Sequence, residues 1–329
     1  MKALVTGGGG FVGRYLIDLL LAEGWQVRSY SRSRYDYLPA PVEQIKADLS
    51  DQLALNEAVL GCDVVFHVAA KAGVWGCYAD YHQSNVVGTE HVLGACLAGG
   101  IEHLIYTSTP SVIYSSGGVE GLDESAPYPS HFKSHYARSK AEAEQRVLAQ
   151  HGKGLNTLAL RPHLIWGPQD PHFIPRFKQK SQSGSLRLIG AGDCLVDHIY
   201  VENAAWAHLC AARALISNAA VGGRAYFLSQ NKPMAIGQLI DGLLHSVGEP
   251  PVTKQIPLWL AKIAGAGVEE FYRGAGIAAE PPLSRFLVDQ LSTPHWFDCS
   301  ASARLLSYQP RVSTEEGFLR LQQWWQLQT

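Results

Sequence analysis

Leu4-Val5-Thr6-Gly7-Gly8-Gly9-Gly10-Phe11-Val12-Gly13 is the stretch that decides how this chain is read. A short apolar run, Ala3-Leu4-Val5, stops at four consecutive glycines, and apolar residues then recur at helical spacing from Phe11 to Ala22. The glycines scan as G-x-G-x-x-G (Gly8, Gly10, Gly13) or as G-x-x-G-x-x-G (Gly7, Gly10, Gly13). Both patterns have one physical meaning. The turn is tight, its backbone can touch a pyrophosphate, and the helix N-terminus adds partial positive charge. Strand, glycines and helix follow in the order such a fingerprint requires. Gly7, Gly10, Phe11, Val12 and Gly13 are therefore expected to bind a dinucleotide; a purely structural glycine turn is the alternative.

Outward from this point, strand and helix patterns alternate. Gln26 to Ser31 reads as a second strand, residues 51 to 60 as a short helix, and Val64 to Val68 as a strong strand. A helix is expected from about Tyr81 to Ala98, a strand from His103 to Ser108, a helix over 133 to 151 and a strand from Leu155 to Leu160. This order implies an α/β fold: a doubly wound parallel sheet of Rossmann type, covered on both faces. From Trp166 the texture turns to prolines, aromatics and irregular segments. The expected division is a dinucleotide-binding domain over 1–165, with returns at about 196–228, and a smaller, mostly helical substrate lobe from 166–195 and 229–329.

The 329 residues suffice for one large or two coupled domains. Charged residues form 17% of the chain, below the usual soluble share of about 25%, so disorder is excluded as a global description. A net charge of -2 argues against nucleic-acid binding through a broad basic field. The six cysteines lack C-x-x-C spacing, so neither a zinc ribbon nor a metal centre is expected. With no secretory signal pattern and no uninterrupted apolar run of about 18 residues, a cytoplasmic protein without a spanning helix is expected.

The end of the second strand bears on which dinucleotide binds. An acidic residue about 20 positions past the glycines would accept from the ribose 2′-hydroxyl of NAD. This chain has Ser31, followed by Arg32 and Arg34. Arginines suit a 2′-phosphate, so NADP is favoured; Asp36 keeps NAD possible, and the arginines could simply face solvent. Asp48 and Leu49, after a third strand, could cap the adenine.

Tyr136 and Lys140 stand four apart at the start of a helix, on one face. The hydroxyl-rich strand end Thr107-Ser108-Thr109 precedes them by 27 residues. Ketone reduction needs a hydride from the cofactor and a proton for the oxyanion. A tyrosine could give that proton if a lysine ammonium lowered its pKa, while a Ser or Thr hydroxyl held the carbonyl oxygen.

These pieces, with His67-Val68-Ala69-Ala70, Asn85-Val86-Val87-Gly88-Thr89, Leu160-Arg161-Pro162 and Tyr200-Val201-Glu202-Asn203, resemble the extended short-chain dehydrogenase/reductase family. Leu306 to Pro310 and Trp324-Trp325 are similar to its 3β-hydroxysteroid dehydrogenase branch. The resemblance implies Tyr136 as acid/base, Lys140 as its partner, Thr109 (or Ser108) holding the carbonyl, and Asn85 fixing a relay water. It places Ala69, Ala70 and Lys71 at the cofactor ribose, Thr107 at the cofactor, and the Pro162-His163-Leu164 backbone at the nicotinamide. A homodimer is expected. His67 and His163 themselves read as satisfied core histidines.

The second half is rich in aromatics, among them Trp166, Phe173, Phe177, Trp259 and Phe271, which suits a hydrophobic β-keto acid or sterol-like substrate. Arg176, Lys178, Lys180 and Arg187 could steer an acidic substrate or form a solvated helix face. Residues 256 to 277 could lie on a membrane surface, wall a channel or join two copies. The leading expectation is an NADPH-dependent ketone reductase or alcohol dehydrogenase. A nucleotide-sugar epimerase or dehydratase retaining NAD, and a catalytically silent cofactor sensor, are the competing ones.

Overall fold

The computed structural model describes residues 1–73, 75–114 and 117–328. Seven strands build the main sheet: β1 (Lys2–Thr6), β2 (Gln26–Ser31), β3 (Glu43–Lys46), β4 (Val64–His67), β5 (His103–Thr107), β6 (Asn156–Pro162) and β7 (Ala225–Leu228). Their spatial order is β7-β6-β5-β4-β1-β2-β3, and every pairing is parallel. The order reverses between β1 and β4, and ligands bind outside the carboxyl ends of strands at such a point.

The inner strands β1, β4 and β5 are near-continuous apolar runs because both faces are buried, whereas the edge strand β3, Glu43–Lys46, is polar and exposed at both ends. Ala3, Val5, Phe66 and Ile105 point to one face, where the helices Phe11–Ala22 and Val201–Ser217 pack. Leu4, Val65 and Leu104 point to the other, against Gln52–Val59, Gly88–Ala98 and His135–Ala149. Alternate residues serving opposite layers is the period-two geometry of a strand.

The second half is mostly helical, as expected, and adds short strands that the sequence did not show. Leu195–Val196, Met234–Ala235 and His295–Phe297 join Val119–Leu122 in a four-stranded sheet of their own. Strands of two to four residues carry too little periodic pattern to be read from sequence. The expected 81–98 helix also differs. It starts as Tyr78–Tyr81, passes through a π-helical stretch, His82–Val87, and continues as Gly88–Ala98. Such wider turns in helices often mark functional sites. All six cysteines are unpaired.

Candidate active site

The glycine loop closes on itself by a bond from Gly10 N–H to the Gly7 carbonyl (2.8 Å). Gly7 holds φ +70, and a Cβ there would stand 2.8 Å from the Ala69 Cα, so only glycine lets β1 and the segment after β4 meet. Gly10 is the N-cap of the Phe11–Ala22 helix and gives it no side-chain cap. The first-turn amides are thus left to an anion, as a pyrophosphate cradle requires. Phe11 and the buried Val12 and Gly13 form that turn. Ser31, at the β2 carboxyl end, sits beside the loop, its Oγ 3.5 Å from Gly9 N. Arg32 and Arg34 are exposed and make no hydrogen bond or ion pair with a described residue. Asp48 accepts from Ser50 N–H at 3.0 Å, which, ahead of the more distant Arg32 charge, holds its carboxyl below the usual range. Leu49 packs against Gly88.

On the far side of the switch point the ribose-side segment is clamped. The Asn85 carbonyl oxygen accepts from Lys71 N–H (2.7 Å), and its amide donates to the Lys71 carbonyl (3.1 Å) and to Ser139 Oγ (3.0 Å). Ser139 in turn donates to the Tyr136 carbonyl at 2.9 Å. Asn85 therefore ties the Ala69–Lys71 segment to the first turn of the Tyr136 helix. The Lys71 ammonium pairs with Asp80 at 2.8 Å. His67 is satisfied, as its position in a buried strand implied. Thr6 Oγ1 takes the Ala69 N–H and donates to His67 Nδ1 (2.7 Å), while His67 Nε2–H donates to Thr89 (2.9 Å), whose hydroxyl donates to the Asn85 carbonyl (2.6 Å). Burial, and secondarily the Lys140 charge, push this imidazole down to about 3, so it is neutral at pH 7.

Ser134 caps the His135–Ala149 helix through Ala137 N–H and sets Tyr136 in its first turn. The Thr109 hydroxyl stands near enough to Tyr136 to favour its ionised form, and it donates to Ser111 Oγ at 3.2 Å. Ser108, by contrast, donates its N–H to the Leu160 carbonyl and leaves its buried Oγ unpartnered. Thr109 is thus the strand-end hydroxyl beside the tyrosine.

The expected depression of the tyrosine pKa is not what the site does. Burial pushes Tyr136 up to about 12, and the nearby Thr109 hydroxyl opposes this only in part. The Lys140 ammonium donates instead to the Thr107 carbonyl (2.6 Å) and lies 4.1 Å from the Tyr106 ring centroid. Burial brings Lys140 down to about 7, with the Glu144 carboxylate pulling the other way. Desolvation outweighs charge pairing because Lys140 is buried and Tyr136 half-buried, each with little water left to solvate a charge. Tyr136 is therefore a neutral acid at pH 7. The Thr107 hydroxyl, meanwhile, is held by His208 Nε2 at 2.8 Å.

β6 delivers the remaining wall. Thr107 and Leu160 are register partners, so the Thr107–Thr109 end and the Pro162–Leu164 backbone leave the sheet side by side. His163 donates its N–H to the Leu228 carbonyl; its ring meets Tyr114 and His295 (2.6 Å) and is held well below its ordinary pKa by burial. Leu164 adopts φ +41 and lines a cavity of about 320 Å³. The rest of that lining is almost wholly apolar: Trp166, Phe173, Phe177, Leu239, Ile240, Leu243 and Leu291 among others, with Arg176, Lys180 and Arg187 as cations. Arg176 pairs with Glu280, and Lys180 and Arg187 donate to backbone carbonyls.

Sequence reasoning did not reach a buried pair two helical turns beyond Tyr136. Glu144 accepts from Arg161 Nε at 3.1 Å and a second time from its Nη2, and from the Tyr128 hydroxyl at 2.6 Å. The i, i+4, i+8 spacing of Tyr136, Lys140 and Glu144 is the signal that could have found it.

A glycine-cradled helix N-terminus at a sheet switch point, with a tyrosine, a lysine and a threonine gathered at neighbouring strand ends, defines an oxidoreductase of the extended short-chain dehydrogenase/reductase type. Residues 4–258 match the model of the 3-beta hydroxysteroid dehydrogenase/isomerase family, and the chain belongs to that family. It interconverts ketone and alcohol groups with a nicotinamide dinucleotide. It is 48% identical over 324 residues to a 2-alkyl-3-oxoalkanoate reductase of Stenotrophomonas maltophilia, covering 98% of both chains. The enzyme of that name from Shewanella oneidensis is 43% identical over 328 residues, covering 97% of this chain and 85% of that one. Among solved structures, that of MoeE5 with UDP-glucose and NAD shares the fold, with a TM-score of 0.76 at 23% identity over 100% of this chain and 99% of that one.

Proposed function

We propose that this protein reduces the 3-keto group of a 2-alkyl-3-oxoalkanoate with NADPH. The observation that carries the reading is the apolar cavity that begins at Leu164, on the strand end beside Thr109. Long alkyl chains can lie in such a lining, whereas a nucleotide-sugar would find few polar partners in it. The near full-length likeness to two reductases of that name supports the same substrate class.

The dinucleotide fits the residues present. The Gly7–Gly13 loop would hold its pyrophosphate, Ser31, Arg32 and Arg34 its 2′-phosphate, Asp48 and Leu49 its adenine end, and Ala69, Ala70, Lys140 and the Pro162–Leu164 backbone its nicotinamide half. When bound, the reduced nicotinamide supplies the hydride. Tyr136, neutral at pH 7, donates its phenolic proton to the ketone oxygen as negative charge develops there. Thr109 would turn its one hydroxyl proton from Ser111 to the same oxygen, with Ser108 as the near alternative. The Lys140 ammonium then favours the phenolate left behind, and Asn85 keeps the ribose-side segment in register with the tyrosine. A homodimer and a cytoplasmic location, the latter suited to six unpaired thiols, belong to the same reading.

The test is NADPH consumption with a 2-alkyl-3-oxoalkanoate, wild type against Tyr136→Phe. Turnover should be abolished while cofactor affinity is retained, because the ring stays and only the proton donor goes. Residual activity within about tenfold of wild type, equivalent to about 1.4 kcal/mol of barrier, would refute the acid role.

A further inference from the structure

The Leu258–Gly274 helix has two unlike faces. Its inner face, Ala261 and Gly265, is buried; Ala261 walls the apolar cavity and Gly265 packs on Val288. Its outer face carries Trp259 (65% exposed), Ile263 (63%), Leu260 (40%) and Phe271 (66%). At 100° per residue, 259, 263, 267 and 271 run along one side of the helix. Four large apolar side chains left in water on one helix, three of them along one ridge, make a surface of the kind that marks an interaction site.

The charge around the patch identifies the occupant. Lys262 flanks the ridge, and Lys254 lies just before the helix, its carbonyl accepting from Leu188 N–H, which brings Arg187 alongside. Lys180 reaches the Pro282 carbonyl at the same cavity. Lys254, Lys262 and Arg187 have no carboxylate partner among the described residues, and Lys180 shares Glu280 with Arg176. The carboxylates of the 258–292 stretch are neutralised: Glu269 and Glu270 by Arg273 and Arg285, Glu280 by Arg176, and Asp289 by Lys133. The patch is therefore apolar with an unpaid positive rim and a tryptophan at its edge, the composition of a helix that lies in a lipid interface.

The helix also stands at the entrance to the chemistry. Trp75 donates its indole N–H to the Ile277 carbonyl and meets the Tyr272 ring edge-on. The Trp75 carbonyl accepts from Tyr81, whose ring lies 6.5 Å from that of Tyr136.

We propose that the Leu258–Gly274 helix seats the enzyme on an anionic lipid surface, from which a long-chain substrate passes into the cavity behind it. The inference rests on the hydrophobic-substrate reading above, since a soluble substrate would need no such surface. The test is co-sedimentation of the full-length protein with vesicles of phosphatidylglycerol and phosphatidylcholine in equal parts, and with phosphatidylcholine alone, at low and high salt. Wild type should pellet with the anionic vesicles and be released by salt. A Trp259→Ser, Ile263→Ser, Phe271→Ser variant should bind about tenfold less or weaker still, and Lys254→Gln with Lys262→Gln should lose the preference for anionic lipid. Both variants should keep wild-type turnover of a short-chain, water-soluble β-keto acid, which confirms their folding and reports on the reductase reading separately. The proposal is overturned if wild type stays in the supernatant with anionic vesicles at low salt, or if the triple serine variant pellets as wild type does. It is equally overturned if that variant only dissociates a wild-type oligomer in gel filtration, because the face would then belong to a second copy.

Discussion

Replacing Glu144 by Gln should destabilise the protein severely, although neither it nor Arg161 touches solvent or the reacting atoms. Their side chains are 0% and 3% exposed, and the pair crosses from the helix bearing Tyr136 and Lys140 to the strand that ends at Pro162. Arg161 Nη1 already lacks a partner, so Glu144 is what compensates the buried guanidinium. Removing one member of such a pair leaves an uncompensated interior charge and costs about 3–5 kcal/mol. At roughly 2–4 °C per kcal/mol, the thermal midpoint should fall by about 6–20 °C. The double change Glu144→Leu with Arg161→Met removes both charges and should lose less than either single change. Calorimetry of wild type, Glu144→Leu, Arg161→Met and the double variant completes the cycle. A loss below about 1 kcal/mol in each single variant, or a double-variant loss equal to the sum, would refute the argument that charge burial holds this pair. The catalytic consequence has a definite sign. Glu144 raises the Lys140 pKa, so its removal should move the loss of the Lys140 proton, and the matching limb of the rate profile, to lower pH.

Lys140→Met should slow turnover and weaken cofactor binding together while raising stability near neutral pH. The folded pKa of about 7 lies below the ordinary lysine value, so the unfolded chain binds the extra proton between the two; the stability gain should be full below pH 7 and vanish toward pH 10, as thermal midpoints across that range will report. Wild type should prefer NADPH to NADH by roughly tenfold, the low end for exposed arginine contacts worth about 1.5–3 kcal/mol, and Ser31→Asp should reverse the order; equal kcat/KM for the two cofactors in wild type would show that Arg32 and Arg34 serve solvent only. Ile240→Trp, which fills part of the cavity, should raise KM for long-chain substrates and leave a short-chain β-keto acid unaffected; equal effects on both would place the chain elsewhere.

Local patterns were legible in the sequence wherever spacing itself carries the physics. A glycine run between an apolar strand and an amphipathic helix has few other uses, and Gln26–Ser31 falls where its pattern puts it. The i, i+4 relation of Tyr136 and Lys140 needs only a helix to become a shared face. The tertiary structure alone decided what those faces meet. It turned Asn85 into a clamp between Lys71 and Ser139, and aimed the Lys140 ammonium at the Thr107 carbonyl. It also set Phe173 and Phe177 inside the cavity while leaving Trp259 and Phe271 outside it. The reversed sense of the tyrosine shift has the same origin. Desolvation depends on how many distant segments close over a group, and no spacing within one helix encodes that.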